Sequence, residues 1–103
     1  MARQSYSTEV FQKNQIGWTL LSNHGHVLIC LARDPSMRLR DVAMQVGITE
    51  RAVQRIVADL NQAGFLEITK SGRCNSYEIP TNAPMKHPLE SDCSIGELLK
   101  LFL

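Results

Sequence analysis

Arg51, Gln54 and Arg55 lie within one short stretch of the chain, and each carries a planar side chain able to make two parallel hydrogen bonds. A guanidinium pairs in this way with the O6/N7 edge of guanine, and a carboxamide with the N6/N7 edge of adenine. Just before them stand Thr49, a residue type that caps helices, and Glu50. A capped helix start leaves backbone amides free for a phosphate. Glu50 has two readings: acceptor from cytosine, or partner of the positive end of a helix dipole. Lys70, Arg73 and Asn75 form a second set suited to phosphate or to the minor groove, and Arg38 and Arg40 lie upstream. Across this stretch the six Lys and Arg residues outnumber Asp41, Glu50, Asp59 and Glu67. The whole chain carries a formal charge of only +1. Affinity for nucleic acid must therefore come from where the cations sit.

No other chemistry is spelled out. The 103 residues contain no nucleophile–base pair, no metal-ligand spacing and no phosphate-binding glycine loop, so neither an enzyme, a metal nor a cofactor is expected. His24 and His26 are two apart and do not share a helical face, and His87 is distant; capping or surface roles suit them. Cys30, Cys74 and Cys93 are odd in number and widely spaced, which argues against a disulfide framework and for a reducing compartment. Cys30 falls in an apolar stripe and reads as a small core residue. Cys74 falls at a polar tip, where a redox role would need a thiolate that no adjacent basic cluster guarantees.

These residues need elements to hold them. Val27, Leu28, Cys30 and Leu31 have helical spacing after Ser22-Asn23, and Asp34-Pro35 stops that helix. Leu39, Val42, Ala43 and Val46 repeat the i, i+3, i+4, i+7 pattern, closed by Gly47. Val53, Ile56, Val57 and Leu60 repeat it again, from the Thr49 cap to Ala63-Gly64. Two helices joined by a tight glycine turn make a helix-turn-helix, with small Ala43 allowing a close crossing. Seating the Val53 stripe on the core turns Glu50, Arg51, Gln54, Arg55 and Asp59 outward. Next, Phe65 to Lys70 and Ser76 to Ile79 read as two strands around the tip Ser71–Asn75, longer than a two-residue turn. Pro80, Pro84 and Pro88 break the chain before Ser94-Ile95-Gly96-Glu97, a capping box that opens a short apolar helix.

The stretch from Leu39 to Leu66 resembles bacterial winged helix-turn-helix regulators of the MarR and ArsR kind. The flanking segments, Trp18 to Ala32 and Gly72-Arg73-Cys74-Asn75-Ser76-Tyr77, resemble small winged helix proteins with a Gly-Arg-x-Asn-x-Tyr wing. The likeness covers about residues 18 to 80. It implies a homodimer on palindromic operator DNA, with Thr49, Glu50, Arg51, Gln54 and Arg55 on the recognition helix and Arg73 and Asn75 on the wing. The paired cysteines of metal sensors and the long terminal helices of inducer-binding relatives have no counterpart here.

The expectation is thus a mainly helical α+β chain: an arm over 1–17, a winged helix-turn-helix over 18–80 as a three-helix core plus a β-hairpin, and a tail over 81–103 ending in a short helix. Leu98, Leu99, Leu101, Phe102 and Leu103 are too apolar to lie bare. They fold back or meet a second copy; a dimer interface of Trp18, Leu98, Leu99, Leu101 and Phe102 is the expectation. No apolar run reaches the roughly 20 residues of a membrane span, and no secretory signal opens the chain, so a cytoplasmic protein is expected. The predicted function is sequence-specific binding of duplex DNA in transcription regulation. The alternative is a winged helix used purely as a protein-interaction module.

Overall fold

Each helix begins where its sequence supplies a cap. In the computed structural model, which describes residues 17–103, Ser22 accepts from the Gly25 amide and opens α1 (Asn23–Arg33). The start of α2 (Leu39–Val46) has no side-chain cap; the carbonyl of Arg38 accepts from the amides of Asp41 and Val42. Gly47 closes α2 at φ +88°, a left-handed conformation that a side chain would strain, and its N–H donates to the Ala43 carbonyl. Thr49 then opens α3 (Glu50–Gln62) by accepting from the Ala52 amide at 3.1 Å.

The apolar stripes read from the sequence form one core. Val27, Leu28 and Leu31 of α1, Val42 and Ala43 of α2, and Val53, Ile56, Val57 and Leu60 of α3 are all buried together. After α3 the chain reverses at Gly64, and the Asn61 side-chain Nδ2 donates to the Leu66 carbonyl at 2.8 Å, fixing the departure of the first strand.

Strand β1 (Glu67–Ser71) pairs antiparallel with β2 (Cys74–Glu78) in a two-stranded sheet. The register Ser71↔Cys74 leaves only Gly72 and Arg73 in the turn, shorter than the five-residue tip expected. Gly72 has φ +63° and Arg73 has negative φ, the pattern of a type II′ hairpin with glycine first. Ser71, Cys74 and Asn75 are thereby drawn into the ladder. Alternation sends Leu66 and Tyr77 into the core and sets Glu67 directly opposite Glu78 on the outer face. The Tyr77 amide donates to the Pro35 carbonyl at 2.9 Å, so β2 is tied to the link between α1 and α2.

The described residues therefore form a small α+β domain of three helices and a two-strand antiparallel hairpin, with a fourth short helix. That helix, α4 (Ile95–Lys100), corrects the expected tail. Its capping box forms as predicted, Ser94 accepting from the Glu97 amide and Glu97 from the Ser94 amide. Yet Ile95 and Leu99 are buried in the core of their own domain. The return of the chain explains it: amides of Met85, Ile95 and Gly96 donate to carbonyls of Cys93, Ala83 and Thr81, zipping 81–85 to 93–96. Arg33 of α1 donates to the Phe102 carbonyl. Leu99 is only 3% exposed and Leu98 is partly buried against the core, so Leu99 cannot serve a dimer interface; Trp18 at 62% and Leu101 at 70% stay outward. The arm expected over 1–17 lies, but for Gly17, outside the described residues. Among the described residues no helix is long and apolar enough to cross a membrane.

Candidate nucleic-acid interface

The core face of α3 fixes where its other side chains go. At about 100° per residue, the direction opposite Val53, Ile56, Val57 and Leu60 passes through Arg51, with Ala58 and Arg55 about 30° to either side of the midline. Arg51, Gln54, Arg55 and Ala58 are all exposed. Two hydrogen bonds orient the flanks. Asn61 reaches the Leu66 carbonyl, so its side of α3 faces the hairpin, and Gln54 lies on that same side. Asp59 meets His24 Nε2 at 2.9 Å, so its side faces the start of α1, and Arg55 lies toward it.

Asp59 is therefore not a free member of the outward set. Its carboxylate is held to the flank by a residue 35 positions away, beyond the reach of helical periodicity. Both side chains of that pair are about half exposed. Arg38, Arg40, Arg51, Arg55, Lys70 and Arg73 are all exposed and none is paired with a carboxylate of the described chain.

The remaining predicted residues sort by what they touch. Thr49 is the N-cap of α3, and Glu50 is exposed in its first turn, where a carboxylate complements the dipole. Arg38 and Arg40 stand at the start of α2, separated from α3 by the Gly47 turn. Lys70 and Asn75 face each other across the ladder, and Arg73 forms half of the turn. Asn75 is half-buried and its amide donates to the Tyr77 hydroxyl at 3.4 Å, so it steadies the hairpin more than it projects from it. Ala58, seven residues on from Arg51, shares its exposed face.

No group of three His, Cys, Asp or Glu among the described residues is placed to hold a metal ion. His26 contacts Asn23 and its pKa is lowered by burial. Burial pushes the Cys30 thiol up to about 11, and it donates to Gln45; a neutral thiol there is a packing group. Cys74 is exposed. An open groove of about 500 Å³ lies between Leu31, Pro35, Tyr77, Ile79 and Leu99, and α3 takes no part in its lining. Comparison of the chain with known protein families, with curated proteins and with solved structures finds no match.

Proposed function

We propose that this protein is a sequence-specific DNA-binding transcription regulator of winged helix-turn-helix build, akin to the MarR and ArsR kind. Helix α3 is the recognition helix, entering the major groove, and the β1–β2 hairpin is the wing, resting on phosphate or the minor groove. The observation that carries this reading is the outer face of α3. It presents Arg51, Gln54 and Arg55 exposed, with neither arginine paired to a carboxylate among the described residues, on a helix whose opposite face is locked in the core. Unpaired cations bound to a rigid element are what counterion release requires, and paired donors on planar side chains are what base edges require. Lys70 and Arg73 on the hairpin and Arg38 and Arg40 at α2 extend the cationic surface to either side.

The regulator acts in the cytoplasm as a homodimer on a palindromic operator, its two α3 helices about 34–36 Å apart, one turn of duplex. With Leu99 turned inward, the contact between copies draws on Trp18 and Leu101, exposed apolar groups at 62% and 70%. The direct test measures binding of the purified chain to mixed duplex DNA at low salt, where even non-specific binders respond. Arg51→Ala with Arg55→Ala should weaken binding and flatten its salt dependence by about two phosphate or base contacts. A second reading, a protein-interaction module, is favoured by one observation: Glu67 and Glu78 face each other on the outer side of the hairpin, an acidic pair unsuited to DNA. It predicts no duplex affinity at any salt concentration.

A further inference from the structure

Helix α1 has no polar outer face. Val27 to Ala32 are six apolar residues in a row, and the only Asp, Glu, Lys or Arg of the helix is Arg33 in its last turn. At about 100° per residue, the direction opposite the buried Val27, Leu28, Cys30 and Leu31 passes through Ile29. Gly25 and Arg33 lie about 40° to either side of it, and Ala32 about 20° past Gly25. Arg33 is engaged by the Phe102 carbonyl. The other side, Ile29, Gly25 and Ala32, is only partly buried. Little stands outside Gly25: the three atoms nearest to a Cβ built there all belong to Leu21, at 3.4 to 4.0 Å. A helix that is apolar all round is one that something covers. By contrast, α2 and α3 turn Arg40, Arg51 and Arg55 to solvent. Just before α1, Trp18 and Leu20 are 62% and 93% exposed. Past its other end the face runs into the mouth of the open groove, at Ala32, Pro35 and Leu103.

We propose, resting on the homodimer of the reading above, that α1 packs antiparallel against α1 of a second copy, crossing at Gly25. Trp18 and Leu20 of each copy then cover the mouth of the other's groove. The register follows from lengths. Ala32 stands about 10 Å beyond Gly25 along the helix axis, and Ser22 about 4.5 Å before it. About a twofold axis at Gly25, Ser22 falls about 6 Å short of the partner's Ala32. The four residues before it reach about 13 Å when extended, enough to bring Trp18 to the partner's Pro35. Its own Ala32 lies about 15 Å from Ser22, past that reach. No charge is buried by the exchange: Trp18 to Leu21 carry none, and Glu97 and Lys100 stand at exposed positions of the groove. Two Trp18 rings at about 150–250 Å² each, with Leu20, the α1 faces and the walls they meet, bring the buried total to on the order of 1,200 Å². That is the lower bound of stable interfaces, and it suits a dimer that dissociates at roughly micromolar concentration.

Sedimentation equilibrium of the full chain from about 1 to 100 μM should show monomer passing into dimer. Trp18→Ala should weaken the dimer roughly tenfold or more, and leave the unfolding of the dilute protein unchanged because the ring is exposed in a single copy. Gly25→Glu and Gly25→Lys each set like charges across the axis, and each should keep the chain monomeric. Mixing the two should restore a dimer, since the charges are then opposite; a folding defect would not be repaired by mixing. A chain that stays monomeric throughout the range would overturn this contact and the homodimer with it. Duplex binding at low salt, measured on the same samples, judges the DNA-binding reading separately. A dimer indifferent to Trp18→Ala and to both Gly25 variants would overturn the α1 contact and leave the homodimer standing.

Discussion

Whether α4 belongs to its own domain or to a contact between copies is decided by Leu99, and truncating it to alanine gives a quantitative test. The side chain is 3% exposed and lies in the common core with Ile95, Tyr77 and the helices. A fully enclosed Leu→Ala change costs about 2–5 kcal/mol, the high end arising where the neighbours cannot collapse. Leu99 also borders the open groove of about 500 Å³, so the space left by its lost atoms opens to water and is not sealed as a void. The cost should therefore fall near the low end, about 2–3 kcal/mol. For a domain of this size that lowers the melting temperature by roughly 10–20 °C. The assay is thermal unfolding followed by circular dichroism at two protein concentrations about a hundredfold apart. The loss should be the same at both, because packing inside one chain does not respond to mass action. Leu101→Ala, at a position 70% exposed, should change stability by less than about 0.5 kcal/mol. A loss under about 1 kcal/mol for Leu99→Ala, or a loss that shrinks as the protein is diluted, would refute the burial of α4 within one copy.

Gly96 has no room for a side chain: a Cβ there would stand 2.7 Å from Thr81 Cβ and 2.8 Å from the Thr81 carbonyl oxygen. Gly96→Ala should push α4 off the 81–85 segment at a cost of about 1–3 kcal/mol, seen as faster amide exchange at Ile95 and Gly96. Glu67→Lys replaces a like-charge cross-strand pair with Glu78 by an opposite one, and chemical denaturation should report a gain of about 0.2–1 kcal/mol. Glu97 is held below the usual carboxylate range by the hydrogen bonds from Ser94, the backbone amide foremost. A depressed pKa in the folded state means that this stabilisation is complete above the ordinary carboxylate pKa and fades as pH falls through the lowered value. Acid titration followed by NMR should therefore show the Ser94 amide losing protection in that window, and Glu97→Gln should remove the pH dependence.

Local chemistry was legible in the sequence because its signals are short. Thr49 and Ser94 cap the helices they were expected to cap, Gly47 closes α2, and the stripe from Val53 to Leu60 names the buried face of α3 and hence the exposed one. Errors arose where contacts join distant positions. Asp59 looked like part of the outward set because periodicity cannot see His24. The hairpin tip looked long because polar Ser71, Cys74 and Asn75 resemble loop residues, whereas the ladder enlists them and Gly72 alone supplies the turn geometry. Leu99 looked like an interface residue because nothing in the composition reports that Thr81 and Ala83 return to meet Gly96 and Ile95.

The bond from the Tyr77 amide to Pro35 has a kinetic consequence. It joins the hairpin to the helical body at its root, with the Tyr77 ring embedded below, so the basic turn at Gly72-Arg73 stands at a set distance and angle from α3 before any partner arrives. On the DNA-binding reading proposed above, a surface held this firmly would lose little freedom on association, and collisions in the right orientation would need no slow rearrangement afterwards. Duplexes that differ in a few contacts would, on that reading, be captured at similar speed and told apart by how long they stay.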